Sequence, residues 1–274
     1  MKWLKRIALA VLVLYLALAA LTYYRQEALL FHPRLRTADY SYGDYPEEWV
    51  TAPGGERLHL LRVGRGGPGV ILYLHGNRGD NGRSLYQTRA LQSLGWDLAL
   101  ADYPGFGKST GDLDEEEDLT VAFQAVYDHL AEEYGENRIV LLGYSMGSGP
   151  ASYLAAHNTP RATVLIAPYT SLTAMKNLFL PFLPDFLLKY RLDNKRHLAA
   201  ASGPVRILHG TADELIPVAM ARELAPLDPD RIRLRELPGV GHRRVILSGA
   251  VAETVRRAIT TPPGGADAGA VQSQ

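Results

Sequence analysis

Apolar positions fall along this chain in distinct rhythms. From Ile7 to Tyr24 no charged residue occurs, and Lys2, Lys5 and Arg6 precede the run. As a helix those 18 residues rise about 27 Å, close to the thickness of a bilayer core. No polar face interrupts the stretch, which argues against a soluble core helix. From Asp39 to Val63 the pattern is short and broken by Pro46, Pro53 and Gly54-Gly55, predicting two or three antiparallel strands joined by turns. Beyond this, strand-like and helix-like stretches alternate. Val70–Leu74, Leu98–Ala101, Arg138–Leu142, Ala162–Ile166, Val205–Leu208 and Ile232–Leu237 are short apolar runs. Leu85–Leu94, Leu119–Tyr134, Met146–Ala156, Pro217–Leu224 and about Val245 to Ile259 carry helical spacing.

Strand and helix in turn predict an α/β fold with a mostly parallel, doubly wound sheet and helices on both faces. The expected organisation is a membrane helix over 1–24, one catalytic domain over 25–262 and a flexible Gly-, Ala- and Pro-rich tail over 263–274. A cleaved signal peptide competes with the anchor, since Ala17-Leu18-Ala19 offers an A-x-A site. The run continues through that site to Tyr23 and Tyr24, an interfacial aromatic pair, which favours the anchor. The basic residues ahead of the run place the catalytic domain outside the cytoplasm, although Arg25, Arg34 and Arg36 lie just beyond it.

Composition narrows the chemistry. The 29 basic residues balance 29 acidic ones, so no basic excess invites nucleic acid. The absence of cysteine excludes disulfides, thiolate metal sites and a thiol nucleophile.

In such sheets, chemistry sits on loops at the carboxyl ends of strands. Gly143-Tyr144-Ser145-Met146-Gly147 follows one strand and opens the next helix, the strand-turn-helix setting of a nucleophile elbow. An ordinary glycine turn would also match the string; the context is what favours Ser145 as nucleophile. The Met146 amide is a candidate oxyanion donor, and His75-Gly76-Asn77, after Val70–Leu74, supplies a second at Asn77. His75 precedes the serine and is read as shaping that loop. Asp213 follows the strand Val205–Leu208 and is the expected acid, with Glu214 its rival. His242, in Pro238-Gly239-Val240-Gly241-His242 after the last strand, is the expected base. Serine, acid and histidine thus occur in the order this arrangement requires.

Other motifs fail. Gly64, Gly66 and Gly69 precede a strand where a dinucleotide site needs them to follow one. Gly107-Lys108-Ser109 lacks the upstream glycine of a phosphate loop, Asp102 standing there. Arg78-Gly79-Asp80 is a chance likeness to an adhesion tripeptide, and the acidic run Asp112–Asp118 suits a helix amino terminus. Neither a metal nor an organic cofactor is expected.

From about Asp39 to Ile259 these residues resemble the α/β-hydrolase superfamily. Glu27–Pro33 after the anchor, His75-Gly76-Asn77, Asp102–Gly107 and Ala167-Pro168-Tyr169-Thr170-Ser171 look like its single-pass branch of serine-aminopeptidase-like hydrolases. The resemblance implies hydrolysis of an ester or thioester, with a lipid or acylated compound as the substrate class. Peptidase or acyltransferase chemistry on the same groups, and a non-catalytic tethered binding protein, stay open. Residues of about 172–203 are left for a small lid, and its apolar Leu178–Leu188 segment either touches lipid or packs over the site. Tyr144, Tyr169 and Phe182 are the candidate substrate contacts.

Overall fold

The computed structural model describes residues 1–64 and 66–261, so the tail expected over 263–274 lies outside the described residues. Strands occur at β1 (His32–Pro33), β2 (Glu47–Thr51), β3 (Arg57–Val63), β4 (Val70–Leu74), β5 (Arg78–Gly79), β6 (Asp97–Ala101), β7 (Ile139–Tyr144), β8 (Ala162–Ile166), β9 (Val205–Gly210) and β10 (Ile232–Leu237). Among the described residues the main sheet has eight strands, in the order β10-β9-β8-β7-β4-β6-β3-β2. β3 runs antiparallel to both of its neighbours, and from β6 to β10 every pairing is parallel. The helices are α1 (Lys2–Tyr24), α2 (Gln26–Leu30), α3 (Asn81–Thr88), α4 (Glu116–Tyr134), α5 (Ser148–His157), α6 (Leu172–Phe179), α7 (Asn194–Ala200), α8 (Val218–Leu224), α9 (His242–Val245) and α10 (Gly249–Thr260).

Side chains alternate across each strand, so a strand covered on both faces must be apolar throughout. Val70, Leu72 and Leu74 of β4 join a cluster with Phe123, Val126 and Leu154 of α4 and α5. Ile71 and Tyr73 turn to the other layer, with Val251, Val255 and Ile259 of α10. This two-sided burial is why the central strands read as continuous apolar runs and not as alternating ones.

Several boundaries differ from the periodicity, each because of a cap. The helix expected at Leu85–Leu94 begins at Asn81, where the Asp80 carboxylate accepts from the Arg83 amide at 3.2 Å, and it closes as a 3₁₀ turn over Arg89–Leu94. The closing helix is split into α9 and α10, with the Ser248 hydroxyl accepting from the Ala250 amide at the second start. Helix α4 starts at Glu116 because Glu115 and Asp118 form a reciprocal capping box, and this accounts for part of the acidic run.

Helix α1 is exposed along almost its whole length, only Ala19 being buried, and is long and apolar enough to cross a membrane by length and composition. The segment after it is tied to the domain. Phe31 packs edge-on against Phe106 and Tyr190, β1 pairs with β5, and Arg36 forms an ion pair with buried Asp80. Between β8 and β9 the chain leaves the sheet as α6, a turn at Asp185–Leu187 and α7.

Candidate active site

Parallel strands bring their carboxyl ends to one edge of the sheet, and the loops that follow β4, β7, β9 and β10 meet there. Ser145 follows β7 directly with φ 54°, a left-handed conformation that only a supporting framework maintains in a non-glycine residue. Its framework is close packing. A Cβ on Gly147 would overlap the Leu74 carbonyl oxygen, and one on Gly143 would lie 2.6 Å from the Gly147 carbonyl oxygen and 2.7 Å from the Ala151 side chain. Both glycines are therefore required by the approach of α5 to the sheet.

The Ser145 Oγ lies 3.0 Å from Nε2 of His242, and Nδ1 of that ring lies 2.8 Å from Oδ2 of Asp213. With Nδ1–H donating to the carboxylate, Nε2 is left as acceptor for the serine hydroxyl. Asp213 is held in turn: its Oδ1 accepts from the amides of Leu215 at 2.9 Å and Ile216 at 2.8 Å. Burial alone would disfavour its charge. Hydrogen bonds from His209, His242 and the Ile216 amide outweigh that cost and hold the carboxyl well below the usual carboxylate range. Glu214 contacts the same loop differently, its Oε2 accepting from the His242 amide at 3.1 Å. It grips the backbone of the histidine and leaves the ring to Asp213.

Asn77 and Met146 border one cavity with Ser145. Met146 lies in the first turn that leads into α5, where an amide has no intrahelical acceptor, so its N–H is free for a ligand oxygen. The Asn77 side chain is engaged elsewhere, its Nδ2 donating to the Leu30 carbonyl at 2.9 Å and tying the loop to α2. His75 is buried beneath the same loop, its Nδ1 2.6 Å from the Gly76 oxygen, while Tyr103 donates its hydroxyl to the His75 carbonyl.

The expected substrate contacts divide. Tyr169 lines the cavity and donates its hydroxyl to the Met146 carbonyl at 3.2 Å. Tyr144 is placed elsewhere than expected. It is buried behind His242, its ring stacked on the imidazole with centroids 5.5 Å apart and its hydroxyl donating to the His242 carbonyl at 3.1 Å. As the last residue of β7, it takes the face opposite to that of Ser145. Phe182 also stands outside the cavity, since the Pro181-Phe182 turn carries it outward, and Phe179 takes the lining position.

Two further positioning groups, Asn194 and Ser148, carry no sequence signal of their own. Asn194 donates Nδ2 to Ser148 Oγ at 2.9 Å and to the Tyr169 carbonyl at 2.8 Å, and Ser148 Oγ donates to the Ser145 carbonyl at 2.7 Å. His209 donates to the Ile216 carbonyl at 2.8 Å and lies 3.3 Å from Asp213. Its place one residue before the end of β9, four residues ahead of Asp213, is the sequence clue to it.

The cavity measures about 300 Å³ and is mostly apolar. Thr22, Gln26, Leu29 and Leu30 form one wall, and Leu172, Met175, Phe179, Leu180 and Leu188 face them. Lys176 also borders it, with its ammonium paired to Asp185 at 2.6 Å.

Residues 68–200 match the family described as serine aminopeptidase, S33. An uncharacterized protein of Mycobacterium tuberculosis is 31% identical over 204 residues, covering 72% of this chain and 71% of its own. The chain belongs to the α/β-hydrolase superfamily. Lysophosphatidylserine lipase ABHD12 of Mus musculus is 27% identical over 199 residues, and the match takes in 64% of this chain but only 49% of the lipase. In structure, an esterase of Pyrococcus furiosus superposes with a TM-score of 0.66 at 17% identity, over 84% of this chain and 97% of the esterase, a likeness of fold. By family the chain is a hydrolase; the esterase adds the fold alone.

Proposed function

We propose that this hydrolase cleaves carboxylic esters or thioesters of acyl compounds, with Ser145 as nucleophile, His242 as base and Asp213 as orienting acid, and that α1 anchors it to a membrane. The observation that carries the reading is the continuous relay from Ser145 Oγ to His242 to Asp213, at the wall of an apolar cavity. In the first step Ser145 Oγ attacks the acyl carbonyl and His242 Nε2 takes its proton. The carbonyl oxygen gains negative charge, and the amides of Asn77 and Met146 receive it. His242 then protonates the leaving alcohol or thiol as the acyl-enzyme forms. Water, deprotonated by the same imidazole, releases the carboxylic acid and restores the serine. Asp213, already ionised, stabilises the imidazolium at each stage without itself taking the proton.

The apolar walls favour an acyl ester over an aminopeptide. An aminopeptidase must bind an ammonium group, yet among the described residues bordering the cavity none is a carboxylate. The lysophosphatidylserine lipase activity named for one relative supports a lipid ester as the substrate class. Labelling by a fluorophosphonate, followed by rate measurements on esters of graded chain length beside aminoacyl amides, tests this. The expected result is labelling that vanishes in Ser145→Ala and rates that favour acyl esters. A folded wild type that takes no label, or one that prefers the amides, rejects it.

A further inference from the structure

The lid and α1 touch far from the end of that helix. The Tyr15 hydroxyl donates to the Phe182 carbonyl at 3.1 Å. Tyr15 precedes Tyr24 by nine residues, which places this contact about 13 Å along the axis from the end of the helix. Half of a hydrocarbon core is about 15 Å. If the Tyr23 and Tyr24 pair sits at the interface, as such aromatics do, the lid turn at Phe182 stands near mid-membrane depth.

The composition of that turn suits the location. Leu178, Phe179, Phe182 and Phe186 are 51%, 60%, 53% and 76% exposed, a patch left open among the described residues and joined to α1 by the Tyr15 contact. Polar groups nearby are paired: Lys176 with Asp185 at 2.6 Å, and Lys189 with Glu27 at 2.7 Å. A latch fixes lid to helix. Gln26 is buried, its Nε2 donating to the Leu187 carbonyl at 2.7 Å and its Oε1 accepting from the Lys189 amide at 3.0 Å. The cavity beside Ser145 lies between the two, bounded by Thr22, Leu29 and Leu30 on the helix side and by Phe179, Leu180 and Leu188 on the lid side.

We infer that the lid is inserted in the leaflet that surrounds the carboxyl-terminal half of α1 and that the cavity draws its substrate sideways from that leaflet: a single-chain ester amphiphile whose acyl chain moves between helix and lid without crossing water. This rests on the anchored ester-hydrolase reading. The anchor is then part of the substrate site and not only a tether. The occupant of the exposed patch is lipid, because the patch is joined to the helix surface that lipid covers.

The cysteine-free sequence allows a direct test. Full-length Phe182→Cys and Phe186→Cys variants would carry a bimane label in phosphatidylcholine proteoliposomes containing mid-chain doxyl lipid. Glu132→Cys is the control, near the far end of α4, whose first-turn Glu116 contacts the lid amides of Arg191 and Leu192. Severalfold stronger quenching at 182 and 186 than at 132 is expected; equal quenching at all three positions overturns the insertion. Fluorophosphonate labelling of Ser145 in the same vesicles reports separately on the hydrolase reading. In the double variant Phe182→Ser and Phe186→Ser, kcat/KM for vesicle-embedded monoacylglycerol relative to soluble p-nitrophenyl butyrate should fall about tenfold. An unchanged ratio overturns delivery from the leaflet even where the lid is quenched.

Discussion

Asp213 meets His242 through one carboxylate oxygen, Oδ2 at 2.8 Å from Nδ1, while its other oxygen is occupied by the amides of Leu215 and Ile216. The carboxylate is thus clamped before it orients the ring, and the imidazole has one tautomer that satisfies both of its neighbours. Replacing Asp213 by Asn offers an amide donor where an acceptor is needed, and the imidazole is driven to the wrong tautomer. Asp213→Asn is expected to lower kcat by about ten-thousand-fold with little change in KM, measured on a short-chain ester. A loss of less than about tenfold would remove Asp213 from its assigned role.

The same clamp predicts an acid dependence of stability. The folded carboxyl is held below its usual range, so it binds a proton less readily than in the unfolded chain. Its stabilisation is complete above the ordinary aspartate value of about 3.9 and is lost as pH falls below that value toward the folded one. Between about pH 5 and about pH 3, wild type should therefore lose stability more steeply than Asp213→Asn, by at most about 1.4 kcal/mol per pH unit. Urea unfolding at several pH values measures the two slopes, and coincident slopes would contradict the assignment.

Gly147 has no room for a side chain, since a Cβ would overlap the Leu74 carbonyl. Gly147→Ala should force α5 away from β4 and cost about 3 kcal/mol or more, seen as a lowered melting temperature together with loss of fluorophosphonate labelling. Normal stability in this variant would mean that the turn is looser than its packing indicates.

Tyr144 supports His242 from behind. Tyr144→Phe keeps the stacked ring and removes one hydrogen bond, for an expected cost of about 1 kcal/mol in stability. Its preference among acyl chain lengths should match that of wild type, because the residue does not border the cavity. A shifted chain-length profile would return Tyr144 to the substrate site.

Buried Asp102 lies between two histidines, 3.5 Å from Nε2 of His75 and 3.6 Å from Nδ1 of His59. Asp102→Ala empties the space between the two imidazoles, which should cost about 1 kcal/mol in packing and loosen the loop that carries Asn77. Chemical denaturation of the variant checks the first effect, and a slower fluorophosphonate reaction the second.

Much of this molecule is local in origin and could be read from residues. Parallel strands are buried on both faces, so β4, β6, β7, β8 and β9 announce themselves as apolar runs, and their alternation with helical spacing dictates a doubly wound sheet. Ser145, Asp213 and His242 were legible because each stands just past such a run, where this sheet gathers its loops. The helix starts at Asn81 and Glu116 escape periodicity because capping side chains set them, Asp80 in the first and the Glu115–Asp118 pair in the second. Local pattern sets the alternation of elements and the residue types at strand ends. Long-range packing placed Tyr144 against the back of His242, turned Phe182 outward, and brought Asn194 and His209 to brace the site. It also decided that α1 and α2 wall the cavity. The reason is physical: these placements depend on contacts between residues up to about 170 positions apart, which no local preference encodes and which the packed sheet alone brings within a few ångströms.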